Sequence, residues 1–312
     1  MRHLTIGVFH DEVLGRELGK KGTVSDIAMY NRKMDDLILS FMSPVEDKLA
    51  PKSQIISTID AAIVVFNEIT RELGETIVML DMIGVKEGIG ITTNYADQNR
   101  IASITKDTSL KSFTTAQRDP GKLLQTLTSI TPTRNNASAP VVEIDHSFSV
   151  KGVGEVVLGF VKRGVVKKYD KLQLLPAKKE VAVRSIQIQD EDYDQADAGT
   201  RVGLAIKDAT VDDMSRGSVL TTAQEIRTDT QIEATFNKSP FYSEPIKEGP
   251  FHATIGMQTI PITMSIKDQQ RISLQSSKPI VYEPGQMAIL LDLNAKKTRI
   301  MGKATLEPSQ SL

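Results

Sequence analysis

Up to about residue 130, short apolar runs alternate with amphipathic segments. LTIGVF, LILSFM, AAIVVF, GIGITTN and SFTTA are strand-like, while NEITRELGETIVMLDMIGV and GKLLQTLTSI read as helices. Strands and helices in alternation predict a mostly parallel sheet covered by helices. SDIAMYN followed by DDLILSF predicts a hairpin instead, with Arg32 to Asp35 near its turn. TPTRNNASAP, residues 131–140, is polar, flanked by proline and without periodicity, so it reads as a linker.

Beyond Pro140 the helical signal nearly vanishes. VVEIDHSFSV, EVVLGFVKRGVV, KLQLLP, EVAVRSIQIQ, TRVGLAI and GSVLTT follow at close spacing with glycine punctuation, which predicts a closed barrel or sandwich. A polar stretch around AQEIRTDT precedes a second β-rich block running from QIEATF to RIMGKATL. The expected division is an α/β domain over 1–134, a first β domain over 135–225 and a second over 226–312.

Composition narrows the functions available. The 312 residues are 40% hydrophobic and 25% charged, ordinary for a globular chain of two or three domains. A net charge of -1 supplies no global positive field, so a nucleic-acid partner has to be met by a local patch, and DNA is not expected. The absence of cysteine excludes disulfides, thiolate nucleophiles and cysteine-ligated metals. The four histidines, His3, His10, His146 and His252, form no zinc-binding spacing, and no metal site is expected from them. No apolar run approaches a membrane span or a signal peptide, so the expectation is a soluble, cytoplasmic protein with no membrane partner.

Charge is nonetheless uneven. Lys151 to Arg184 holds nine basic and three acidic residues, a balance of +6, whereas Asp190 to Asp213 holds eight acidic and two basic, a balance of -6. The basic stretch reads either as a surface for RNA phosphates or as alternating solvated strand positions. Lys162, Arg163, Lys167 and Lys168 are the candidate RNA contacts.

The same stretch carries ordered motifs: Gly152 and Gly154, Arg163-Gly164, Tyr169-Asp170-Lys171, Ala198-Gly199 with Val202-Gly203, and Arg216-Gly217 with Val219-Leu220. In this order they resemble the second domain of elongation factor Tu and of its SelB-type selenocysteine relatives. GKKGTVSDIAMYN is most similar to a SelB-like subgroup whose N-terminal domain departs from the GTPase pattern. The resemblance implies a multidomain α/β plus all-β protein: a GTPase-like, P-loop-type α/β domain followed by two β-barrel domains. It also implies GTP with Mg²⁺ as ligand and tRNA or the ribosome as partner.

Against G-x-x-x-x-G-K-[ST] the chain offers HDEVLGRE, residues 10–17. His10 stands at the first glycine, Gly15 keeps the second, Arg16 replaces the lysine and Glu17 replaces the Mg²⁺-holding hydroxyl. Arg16 can meet a phosphate, but Asp11, Glu12 and Glu17 oppose a triphosphate. GKKGT, residues 19–23, lacks the preceding glycine and maps to a severely shortened switch approach. The D-x-P-G-H stretch has become Met42-Ser43-Pro44-Val45-Glu46. Asn94 and Asp97 keep the outer residues of N-K-x-D, and Thr115-Ala116 resembles the later S-A-K element. The nucleotide-binding remnant is therefore Gly15, Arg16, Asn94, Asp97, Thr115 and Ala116, with no catalytic residue identified and Mg²⁺ expected only if GTP binds.

The leading expectation is a translation-factor relative that binds tRNA or a ribosomal component, with GTP binding and hydrolysis weakened or lost. The alternatives are a divergent GTPase that waits for an activator and a protein-interaction scaffold.

Overall fold

The computed structural model describes residues 1–93 and 96–308. The N-terminal α/β part contains strands β1 (Arg2–Phe9), β2 (Lys20–Val24), β3 (Ile27–Met34), β4 (Leu37–Pro44), β5 (Ala61–Phe66), β6 (Glu87–Thr92) and β7 (Thr114–Ala116). Its helices are α1 (Leu14–Leu18), α2 (Leu49–Ile56), α3 (Arg71–Ile83), α4 (Gln98–Thr105) and α5 (Pro120–Thr128). The strands form one mixed sheet in the order β2-β3-β4-β1-β5-β6-β7. β1 pairs in parallel with β4 and β5, whereas β3 runs antiparallel to both β2 and β4.

Helices cover both faces of the central strands. Consequently β1, β4 and β5 are buried along almost their whole length and read as continuous apolar runs. Leu4, Ile6 and Val8 of β1 share a core with Leu39 and Phe41 of β4, Ile63 and Val65 of β5, and Leu123 and Leu127 of α5. Local signals set the helix ends. Thr70 accepts from the Leu73 amide at 3.2 Å to start α3, and Gly84 at φ 79° ends it. Asp119 caps α5, whose first residue is Pro120.

The next part comprises β8 (Val141–Val150), β9 (Gly154–Arg163), β10 (Val165–Lys167), β11 (Lys171–Leu175), β12 (Lys179–Ile188), β13 (Glu191–Tyr193), β14 (Gln195–Asp197), β15 (Arg201–Lys207) and β16 (Val219–Thr221). β11-β16-β8-β9-β15-β12 closes through the pairing of β11 with β12, with β13 appended and β10 paired to β14. DEDYD, residues 190–194, holds β13, antiparallel to the end of β12. The last strands are β17 (Arg227–Lys238), β18 (Gly249–Ile255), β19 (Gln258–Ile266), β20 (Arg271–Tyr282), β21 (Met287–Leu291) and β22 (Ile300–Leu306). They close a second barrel in the order β17-β20-β19-β18-β21-β22. An α/β part followed by two β-barrels is the architecture predicted; the structure adds that the sheet is mixed and that each barrel closes with six strands.

By contacts the chain divides into two units. The first comprises Met1–Pro132, Asn237–Ile246 and Ile289–Lys303; the second comprises Thr133–Phe236, Lys247–Ala288 and Ala304–Leu312. No helix among the described residues is long and apolar enough to cross a membrane.

Candidate functional site

β1 delivers the chain to the carboxyl edge of the parallel strands, where open α/β sheets place their ligands. His10 follows at φ 64°, a left-handed conformation that suits the glycine it replaces. The turn then closes on its own side chain. Asp11 Oδ1 accepts from the Val13 amide at 3.0 Å and the Leu14 amide at 2.9 Å. α1 is only five residues long, and β2 begins two residues after it ends.

Arg118 joins the carboxylates of this turn. Its Nε donates to Asp11 Oδ2 at 2.6 Å and its Nη1 lies 2.8 Å from Glu17 Oε2. Burial works to raise the Asp11 carboxyl, but Arg118 and the Leu14 and Val13 amides together hold it below its ordinary value. Two residues expected to repel a phosphate are thus joined to an internal guanidinium. Arg118 follows Thr115-Ala116-Gln117 directly, yet family motifs assign it no role, so sequence reasoning missed it.

A cleft of about 610 Å³ opens beside the turn. Ser43, Pro44 and Val45 line it from the end of β4, Asn67 and Glu68 from the end of β5, and Thr70 and Glu72 from the start of α3. Its lining carries five carboxylates, on Asp11, Glu12, Asp47, Glu68 and Glu72, against one lysine, Lys52. Lys52 is 1% exposed, pairs with Asp47 and donates to the Glu72 carbonyl at 3.4 Å. It lies in α2, which the apolar pattern does not announce, and was also missed.

His10 faces this lysine. Thr76 Oγ1 donates to the Glu72 carbonyl at 2.9 Å, so its contact with His10 Nε2 at 3.0 Å requires the imidazole to donate. Burial, then the Lys52 ammonium, push His10 down to about 4 against the opposing pull of Asp47 and Glu72. Neutral His10 is therefore a packed, hydrogen-bonded wall of the cleft.

The other positions that align with the nucleotide motifs have the following settings. A Cβ on Gly15 would sit 2.8 Å from the Tyr30 ring and 3.0 Å from Ser43 Oγ, so ring packing alone requires glycine there. Arg16 is exposed on α1. Met42, at the position of the metal-holding aspartate, is fully buried on β4. Asp97 caps α4 by accepting from the Arg100 amide at 3.1 Å. Thr115 is exposed on β7 beside Gly90 of β6, and Ala116 packs against the core. Asn94 lies outside the described residues, as does Tyr95. No group of three acidic or histidine side chains suited to a metal ion occurs among the described residues.

In the basic stretch of the first barrel the four candidates separate. Arg163 Nη2 reaches Glu225 at 2.5 Å and Glu283 at 3.3 Å, so its charge is engaged. Lys162 Nζ is 4.0 Å from the buried Glu143 carboxylate. Lys167 is exposed, and Lys168 Nζ stands 5.3 Å from the centroid of the Tyr169 ring, which is 74% exposed.

Known proteins share this layout. The family described as elongation factor Tu domain 2 matches residues 154–221. An uncharacterized protein of Methanocaldococcus jannaschii is 37% identical over 98% of this chain and 100% of its own length. The selenocysteine-specific elongation factor of the same organism is 34% identical over 45% of this chain and 30% of its own length. Among solved structures, translation elongation factor SelB from Methanococcus maripaludis, in complex with the GTP analogue GppNHp, superposes with a TM-score of 0.85. That match covers 100% of this chain and 80% of the SelB chain at 21% identity, a likeness of fold. Shared fold, the matched second domain and full-length similarity together place the chain in the elongation factor Tu/SelB-like translational GTPase family.

Proposed function

We propose that this family member binds tRNA or a ribosomal component and no longer uses GTP. A translation-factor-related function follows from its relatives. The finer reading rests on one observation: the Asp11 carboxylate accepts from the amides that open α1, the donors an incoming phosphate would need. A triphosphate would have to displace that carboxylate, separate it from Arg118 and enter a cleft lined by five carboxylates and one lysine. The substituted lysine, hydroxyl and aspartate positions, Arg16, Glu17 and Met42, support the same reading, as does the five-residue α1. In this proposal 1–134 is the degenerate GTPase-like domain, while 135–225 and 226–312 are the two barrels.

RNA binding is supported by the +6 balance between Lys151 and Arg184 and by the exposure of Lys167. Calorimetric titration of the full chain with GTP and Mg²⁺ is expected to show no binding at millimolar nucleotide. A measurable dissociation constant would sink the loss of GTP. Gel shift with tRNA is expected to show a complex at low salt whose affinity falls steeply as salt rises.

A further inference from the structure

Tyr169 sits at φ 71° at the tip of the turn between β10 and β11, a conformation that glycine enters without cost and tyrosine does not. The ring is not compensated by packing, because 74% of the residue is exposed. The backbone around it is tied down instead. The Tyr169 amide donates to the Val183 carbonyl at 2.8 Å, the Lys168 amide to Asp194 at 2.9 Å and the Asp170 amide to Lys167 at 3.1 Å. The Asp170 carboxylate is engaged by the Lys167 amide at 2.7 Å.

A large aromatic side chain is thus held outward on a rigid turn, at a backbone cost that the fold does not need. Its immediate neighbours are cationic. Lys168 Nζ lies 5.3 Å from the ring centroid, and Lys167 is exposed one residue before it. A flat π-face beside two ammonium groups matches an unpaired base flanked by phosphates, because every base has a face to stack and every nucleotide a charge to neutralise. An apolar protein surface would use the ring but leave both ammonium groups without partners.

We propose that Tyr169 is a stacking platform for an unpaired base of single-stranded or looped RNA, with Lys167 and Lys168 meeting the adjoining phosphates. The proposal rests on the RNA-binding reading above and adds to it the kind of RNA and the residue that selects it. Stacking and charge separate experimentally, since charge sets the salt dependence whereas stacking does not.

The test measures binding of the full chain to a single-stranded RNA oligonucleotide and to a duplex of equal length over a salt series. Wild type is expected to prefer the single strand. Tyr169→Gly is expected to lose about tenfold or more of that affinity with an unchanged salt slope, while Tyr169→Phe retains it. The thermal midpoint of Tyr169→Gly is expected to equal or exceed that of wild type, because glycine relieves the left-handed strain; a purely structural tyrosine would lower both readouts. Lys167→Ala and Lys168→Ala are expected to flatten the salt slope. Wild-type affinity in a folded Tyr169→Gly would overturn the stacking role while leaving RNA binding intact. No RNA bound by wild type at low salt would overturn both readings. A partner that resists ribonuclease yet is lost in Tyr169→Gly would reassign the surface to protein.

Discussion

His10, which aligns with the first glycine of a phosphate loop, takes a positive φ of 64° just after β1. The imidazole is mostly buried, beside Lys52, and its folded-state value of about 4 lies below the ordinary 6.5. Folding therefore favours the neutral ring, and between those values the unfolded chain binds more protons. The stability this contributes is fully present above pH 6.5 and is lost as pH falls towards about 4, by about 2–3 kcal/mol. Urea unfolding of wild type and His10→Gln between pH 7 and pH 4 checks this: wild type is expected to lose more stability over the window. Identical slopes would mean that His10 is not held neutral. The same residue shows what motif reading captures. HDEVLGRE spans the turn from β1 into α1, but the interaction between Asp11 and Arg118 joins residues 107 positions apart and leaves no local pattern.

At the scale of elements, Asp97, which aligns with the last residue of N-K-x-D, has a structural task. Its carboxylate accepts from the Arg100 amide and begins α4, the usual duty of an N-cap aspartate. Asp97→Ala is expected to cost about 1 kcal/mol and to speed amide exchange across 98–105. Unchanged exchange there would leave the carboxylate free for another use. β1 and β5 were legible as continuous apolar runs because both their faces are buried, and α3 was legible from its length, its Thr70 cap and its Gly84 stop. α2 was not, since its buried residues include the polar Lys52, Ser53 and Gln54; Lys52 donates to the Glu72 carbonyl of α3, and Ser53 donates to the Ala50 carbonyl of its own helix. α4 buries only Ile101 among its residues and so carries almost no periodic signal. GKKGT forms most of β2, an exposed edge strand whose glycine and lysines resemble phosphate-binding chemistry while serving a hairpin with β3.

At the scale of the molecule, the sequence pattern separates 1–134 from the two β blocks, but the first contact unit also takes in Asn237–Ile246 and Ile289–Lys303. The interactions inside that unit explain why the late segments belong to it. Glu75 of α3 is 1% exposed, and Arg299 meets its carboxylate through the backbone amide at 2.8 Å, Nε at 3.0 Å and Nη2 at 2.6 Å. Tyr242 donates to Asp292 at 2.7 Å, and the Ser239 amide donates to Met301 at 2.8 Å, joining the two late segments to each other. A buried carboxylate stripped of the guanidinium that meets it is far costlier than an apolar replacement of the whole pair. Arg299→Met is therefore expected to destabilise the full chain by about 3–5 kcal/mol, and Glu75→Leu added to it to recover a large part. A fragment of residues 1–134 lacks Arg299 altogether, so it is expected to be unstable by itself and to gain from Glu75→Leu. Chemical unfolding of these four proteins decides the matter. A stable fragment indifferent to Glu75→Leu would mean that the N-terminal α/β part is self-sufficient, whereas rescue by Glu75→Leu would identify residues 289–303 as the late completion of an early core.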